Sequence, residues 1–259
     1  MTDATLAAER LTLGYRDTRV IEDLSLTMPT GRVTAILGPN GCGKSTLLKA
    51  FARLIAPVSG QVTLGGEDVN ATNTKQLARR LAILPQAPIA PDGITVEELV
   101  RRGRAPWRGV LAPWSAADAA ACEDALKAVG MEALRARPIG QLSGGQRQRA
   151  WIALALVQAT PVLLLDEPTT FLDLPHQLEV LSLLRRRNRD TGITVVSVLH
   201  DLNLAARFSE HLILLGPHGL VAAGTPEEVL TEAHLQTAFG LRARVLPDPV
   251  AGTPMVVPL

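Results

Sequence analysis

Val33-Thr34-Ala35-Ile36-Leu37 runs straight into Gly38-Pro39-Asn40-Gly41-Cys42-Gly43-Lys44-Ser45-Thr46, and the apolar-periodic segment Leu47-Leu48-Lys49-Ala50-Phe51 follows. A strand-length apolar run, a loop of the form G-x-x-x-x-G-K-[ST] and a helix start stand in one line. Gly38, Gly41 and Gly43 permit torsions that a Cβ resists, so successive N–H groups can converge on phosphate oxygens. The helix opening at the loop adds its unpaired N–H groups and the positive end of its dipole. Lys44 is spaced to reach the β- and γ-phosphates of a nucleotide, and the Ser45 hydroxyl to ligate Mg²⁺. The stretch reads as a nucleotide-phosphate site.

The surrounding composition sets the bounds. The chain has 259 residues, 47% of them hydrophobic and 3% aromatic, which is enough for one large domain with an aliphatic core. Its formal net charge of +1 argues against an extended polyanion-binding face, so no nucleic acid is expected as partner. Two cysteines, Cys42 and Cys122, make neither a disulfide framework nor a metal cluster. Cys42 lies inside the phosphate loop, where a disulfide would block the site, so a reducing compartment fits. The N-terminus lacks the basic and apolar regions of a secretory signal. The longest apolar stretch, Trp151 to Leu165, is interrupted by Gln158, Thr160 and Pro161, too short and broken to span a bilayer. The chain reads as soluble by itself, with any membrane role supplied through a partner.

Strands are expected through residues 5–37, a helix at 44–55, a strand at 61–64, a helix at 74–81 and a short strand at 82–84 ending before Gln86. From Ala87 to Gly140 the pattern becomes helical, with stretches at 96–102, 116–129 and 131–135. Ser143 is placed to cap a helix reaching Val157, and Val162 to Leu165 is a strand. Beyond it come a helix at 174–189, a strand at 193–199, a helix at 202–208, strands at 211–215 and 220–222, and helices at 226–230 and 233–239. The last stretch, with Pro247, Pro249 and Pro254, is too short and broken for a second domain. Strands alternating with helices around a phosphate loop give an α/β fold with a mainly parallel sheet.

Leu163-Leu164-Leu165-Asp166-Glu167 supplies the second half of the site, because ligands of open parallel sheets collect beyond the strand carboxyl ends. Asp166 suits the Mg²⁺ shell, and Glu167 suits the base that orients an attacking water. Leu142-Ser143-Gly144-Gly145-Gln146 settles the class. Ser143 with the Gly144 and Gly145 amides begins a helix and forms a second anion site. A Ser-capped helix with a Gly-Gly turn explains neither Leu142 nor Gln146.

With LSGGQ in place the sequence resembles the ATP-binding cassette (ABC) ATPases over nearly its whole length. The resemblance implies a single ABC ATPase domain over 1–259. Its P-loop NTPase core is expected at about 1–86 and 160–259, with an N-terminal antiparallel β subdomain, and an α-helical subdomain at about 87–159. It implies ATP and Mg²⁺ as cofactors, and a homodimer in which Ser143, Gly144, Gly145 and Gln146 of one subunit close on ATP held by Gly38–Thr46 of the other. Position by position, Gln86 matches the Q-loop glutamine that touches Mg²⁺ or the attacking water. His200 matches the switch histidine at the γ-phosphate, and Asp173 the D-loop aspartate at the dimer interface. Tyr15 matches the aromatic that stacks on adenine. Phe171 stands where many members carry a small residue. Cys42 is an unconstrained loop position whose thiol lies near the bound phosphate.

Within the family, Thr95 to Val100, Arg102-Gly103-Arg104 and Pro106-Trp107 resemble the ferric-siderophore, haem and cobalamin importer ATPases. So do Thr169 to Asp173 with His176-Gln177, and His200-Asp201-Leu202-Asn203. The resemblance implies uptake of an iron-siderophore or related metal chelate, at the cytoplasmic face of the membrane. The implied partners are permease subunits docked near Gln86 to Trp107 and an extracytoplasmic binding protein. Another small-molecule importer is the nearby alternative. ABC ATPases of DNA or ribosomes carry a long coiled coil or two cassettes, and neither is visible here. A P-loop small-molecule kinase leaves LSGGQ and His200 unexplained.

Overall fold

The computed structural model describes residues 4–16, 18–109, 112–170 and 172–259. In chain order its elements open with β1 (Leu6–Tyr15), β2 (Thr18–Thr27), β3 (Val33–Leu37), α1 (Lys44–Phe51), β4 (Ser59–Leu64), β5 (Glu67–Asp68), α2 (Thr74–Ala78) and β6 (Leu81–Leu84). Helices α3 (Val96–Arg102), α4 (Ala116–Ala128) and α5 (Gly144–Leu156) follow, then β7 (Val162–Asp166), α6 (Leu174–Thr191), β8 (Thr194–Val198) and α7 (Leu202–Phe208). The chain ends in β9 (His211–Gly216), β10 (Gly219–Gly224), α8 (Pro226–Val229), α9 (Glu232–Phe239), β11 (Ala243–Pro247) and β12 (Pro254–Pro258).

Two larger sheets divide the strands. An antiparallel sheet has the order β2-β1-β4-β5, and a second sheet the order β10-β9-β3-β8-β7-β6. In the second sheet β3 pairs in parallel with β8 and β9, and β7 in parallel with β6 and β8; only β10 runs antiparallel. Every residue of β3, β7 and β8 is buried, as expected of central strands covered on both faces. This is the arrangement the resemblance implies: a mainly parallel sheet, an antiparallel N-terminal sheet and helices between β6 and β7.

Those inserted helices share a core with the sheet. Val96, Leu99, Leu126, Ala150 and Ile152 form one buried cluster with Ala82, Leu84, Leu163, Leu165 and Val195. Capping boxes fix their starts: Thr95 with Glu98 for α3, Ser115 with Asp118 for α4, and Ser143 with Gln146 for α5. Asp118 also takes a 2.9 Å ion pair from Arg104, both side chains being buried. The Ser115 hydroxyl and the Arg104 guanidinium hold its carboxyl down to about 2.

Several expected boundaries move. The helix expected to reach residue 55 ends at Phe51, and Arg53 turns the chain with φ 57° while donating to Val69 O and Thr72 O. The helix expected over 74–81 stops at Ala78, and Leu81 joins the sheet opposite Val162. The helical stretch expected at 131–135 is a 3-10 turn at Glu132–Leu134. The proline-punctuated tail closes as the β11–β12 hairpin, tied to α7 by Asn203, which donates to Val256 O and accepts from Val256 N. Pro247 and Pro254 are the two residues that face each other at its end, where a missing N–H costs least.

Candidate nucleotide site

Gly38 to Gly43 carries the chain from the carboxyl end of β3 into α1. At Gly38, φ is 149°, and a Cβ would meet Leu215 O at 2.4 Å. Gly43 caps α1 in the left-handed region, where a Cβ would press on Val20 and Ile21 at 2.9 Å. Neither Gly38 nor Gly43 leaves room for a Cβ, so the turn into α1 is made by bare backbone. Lys44 is buried, and its Nζ donates to Gly38 O and Pro39 O, each at 2.8 Å. This folds its charge back over the mouth of the loop, poised for a better acceptor than a carbonyl. Tyr15, Val20, Asn40, Gly41, Gly43, Lys44, Ser45, Thr46 and Glu167 line one pocket. Tyr15 is half exposed at the end of β1, with its hydroxyl 3.5 Å from Thr46 Oγ1. Its ring is therefore a surface platform beside the phosphate loop and no part of the core.

The sheet register delivers the acidic half. Leu84 pairs with Leu165, and Leu165 with Ser197, so Gln86, Asp166-Glu167 and His200 all follow strands ending on the same side. Ser45 Oγ donates to Asp166 Oδ1 at 2.8 Å, while the buried Asp166 Oδ2 has no partner. Burial pushes the Asp166 carboxyl up, opposed by the Ser45 hydrogen bond and helped by the neighbouring Glu167. A buried carboxylate with one orphaned oxygen beside a serine hydroxyl is a donor set that fits a small hard cation.

Glu167 adopts φ 54°, a left-handed conformation that a non-glycine side chain occupies only under constraint. The constraint is visible. Its carboxylate lies 2.9 Å from His200 Nε2 and accepts from Thr170 Oγ1 at 2.9 Å. Burial raises its pKa, but the His200 and Thr170 hydrogen bonds, with a contribution from Gln86, outweigh that and leave it lowered. Glu167 is thus an ionised carboxylate held at one edge of the phosphate pocket. Cys42 behaves differently: burial pushes its thiol up despite Lys44, so the protein disfavours its thiolate.

Ser143, Gly144, Gly145 and Gln146 stand apart. Ser143 Oγ accepts from Gln146 N at 3.3 Å, and Gln146 Oε1 accepts from Ser143 N at 3.2 Å. Ser143 and Gly144 are exposed, and none of the four lines the phosphate pocket. Asp173 caps α6, accepting from His176 N at 3.3 Å, and is also outside that pocket. Phe171 falls outside the described residues. Three residues outside the expected site set complete the picture. Thr170 clamps Glu167, Gln148 Nε2 donates to Pro168 O at 2.8 Å, and His176 packs on Gly145. Thr170 and His176 lie in the 169–177 stretch that resembles the importer ATPases, without a role assigned to either; Gln148 lies in no such stretch, though it stands three residues after Gly145 on the same helix face.

Comparison with known proteins gives the same outline. The family model described as ABC transporter matches residues 21–170. The achromobactin transport ATP-binding protein CbrD of Dickeya dadantii is 51% identical over 98% of this chain and 94% of its own length. The ferric enterobactin transport ATP-binding protein FepC of Escherichia coli is 48% identical over 99% of this chain and 94% of its own. Among solved structures, the post-hydrolysis dimer of the ATP-binding cassette MJ0796 with ADP and Pi superposes with a TM-score of 0.74 at 28% identity. That match covers 85% of this chain and 98% of the other.

Proposed function

The chain belongs to the ABC transporter family, and we propose that it is the ATP-binding and ATP-hydrolysing subunit of an importer for an iron-siderophore or related metal chelate. One observation carries the reading: a phosphate cradle with its own ionised Glu167 sits in the same chain as an exposed Ser143–Gln146 helix start that faces no partner in that pocket. Two copies arranged head to tail would supply each other's missing half, giving a homodimer with two ATP sites.

In this reading, Tyr15 stacks on adenine while the Gly38–Gly43 amides and Lys44 neutralise the phosphates. Ser45 and Asp166 would hold Mg²⁺, with Gln86 as the further candidate ligand; the ion would neutralise charge developing on the phosphates. Glu167 orients the attacking water, and His200 holds Glu167 in place and reaches toward the γ-phosphate. Phosphoryl transfer of this kind depends on positioning and electrostatics, so these groups need only be fixed, and Glu167 is fixed at the cost of backbone strain. Ser143 and the Gly144 and Gly145 amides then bind the γ-phosphate held by the other copy, with Asp173 at the interface between them.

The division into a core at about 1–86 and 160–259 and a helical part at about 87–159 belongs to the same proposal. Permease subunits would dock near Gln86 to Trp107. Ile89 and Trp107 are exposed there, and Arg79 and Arg104 stack on the Trp107 ring. Among the described residues no helix is long and apolar enough to cross a membrane, so attachment to the cytoplasmic face would run through those permeases. An extracytoplasmic binding protein would complete the system. The direct test is a pull-down from detergent-solubilised native membranes with tagged Glu167→Gln and Mg-ATP. Recovery of a polytopic permease with an iron-chelate-binding protein is expected. Recovery of ribosomal or DNA-repair proteins without a permease would overturn the transport reading.

A further inference from the structure

His176 stands on the first turn of α6, just beyond the phosphate-handling residues, and nothing in the nucleotide pocket requires it. Its ring nitrogen Nδ1 pairs with the Asp173 carboxylate, and its backbone N–H donates to the same oxygen at 3.3 Å. The ring also lies close to Gly145, where a Cβ would sit 3.2 Å from His176 Cδ2. Asp173 feels the contact, since the His176 ring hydrogen bond is the first cause of its lowered pKa.

Two further contacts extend the seam between α5 and the segment from Glu167 into α6. Gln148 Nε2 reaches Pro168 O at 2.8 Å, and Arg149 pairs with Glu179 at 3.6 Å. Residues 145, 148 and 149 share one helix face. His176 occupies the end of that seam nearest the Ser143–Gln146 helix start, where an error in placement would be felt most.

We propose that His176 is a positioning residue. Its imidazole, oriented by Asp173, sets the height and tilt of the Gly145 backbone, and so aims the Gly144 and Gly145 amides at the γ-phosphate bound by a second copy. This rests on the reading of the chain as a head-to-tail ATPase dimer. It adds a residue through which the strand-end loop carrying Glu167 of one site is linked to the anion-binding helix start of the other. A side chain at Gly145 would press on the ring at 3.2 Å, and the ring would have to give way by a few tenths of an ångström.

Three substitutions separate the ring from the hydrogen bond. His176→Phe keeps a ring on Gly145 without the Asp173 bond. His176→Asn keeps a donor at the Nδ1 position without the ring, and His176→Ala loses both. Each is measured for fluorescent-ATP affinity, for KM and kcat of hydrolysis, and for nucleotide-driven dimerisation in the Glu167→Gln background. Binding to the phosphate loop should be unchanged in all three. His176→Ala and His176→Asn should raise KM about tenfold or more and lose the closed dimer, because small misplacements of charge-stabilising groups are costly. His176→Phe should recover most of both.

If His176→Asn recovers function and His176→Phe does not, the residue serves only to cap α6, and the inference fails. Wild-type behaviour in all three variants, or an equal defect in His176→Phe and His176→Asn, overturns it as well. Failure of the underlying reading looks different: the parent Glu167→Gln chain would itself not dimerise with Mg-ATP.

Discussion

The phosphate-loop end and the Ser143 end of the molecule are both helix starts, proposed to bind anions, and they are finished to different degrees. Around Lys44 the sheet register gathers Ser45, Asp166, Glu167 and His200 into contact, and Tyr15 stands at the rim. Around Ser143 the capping box is complete, yet Ser143 and Gly144 are exposed, and among the described residues the hydrogen bonds of the Ser143 and Gln146 side chains are those of the box itself. In the proposed dimer, one region is a site within the chain and the other is half of a site. On that reading the difference teaches that the chain would bind nucleotide alone and need a second copy to use it.

The largest effect expected is from Glu167→Gln, which removes the ionised carboxylate while keeping its shape. Turnover should fall on the order of 10²- to 10⁴-fold while ATP binding persists. Steady-state phosphate release against equilibrium titration reads the split; equal losses in both would remove Glu167 from the reacting end. Next comes Lys44→Ala, which should weaken ATP binding by roughly 10- to 100-fold, as expected for a lost charge-assisted hydrogen bond to phosphate. Unchanged affinity by calorimetry would break the claim that the Lys44 region is complete in itself.

Ser143→Asp sharpens the comparison from the other side. Aspartate caps a helix as well as serine does, so α5 and thermal stability should hold. A carboxylate now stands where a γ-phosphate must arrive, so turnover should drop by about tenfold or more with single-copy ATP affinity intact. A loss of affinity in monomeric protein would place both anion sites in one chain.

The smallest effect is a gain. Asp166 has a raised pKa, so the stability tied to its protonated form is full below the ordinary carboxylate range and fades as pH rises through the raised value. Asp166→Asn should therefore stabilise the nucleotide-free protein at neutral pH by about 1 kcal/mol and reduce the extra stabilisation that Mg²⁺ adds to ATP. Glu167, with a lowered pKa, runs the opposite way. Its contribution is present above the ordinary range and is lost as pH falls through the lowered value. Thermal melts across pH distinguish the two carboxylates.

Much of this was readable in the chain itself, and the reason is local. Gly38–Thr46, Leu163–Glu167 and Ser143–Gln146 each join an element boundary to its own chemistry within nine residues or fewer, so motif and structure coincide. Asp166 beside Ser45 followed from the rule that parallel strands deliver ligands at their carboxyl ends. What stayed hidden depends on pairs far apart in sequence or on backbone torsion. The left-handed Glu167, clamped by Thr170 and His200, has no signature in composition. The ring of His176 on Gly145 joins residues 31 apart, and the bond from Asn203 to Val256 joins residues 53 apart. The β11–β12 hairpin was masked by its own prolines, which sit at its ends and not across its middle.

The central claim is that the Ser143 end is completed by a second copy. The most direct measurement is the molar mass of Glu167→Gln by light scattering, with and without Mg-ATP, beside the same protein carrying Ser143→Asp. A mass that doubles with Mg-ATP in the first and stays at one chain in the second, with ATP bound in both, is the expected result. A single-chain mass for nucleotide-saturated Glu167→Gln, or doubling in both proteins alike, would contradict it.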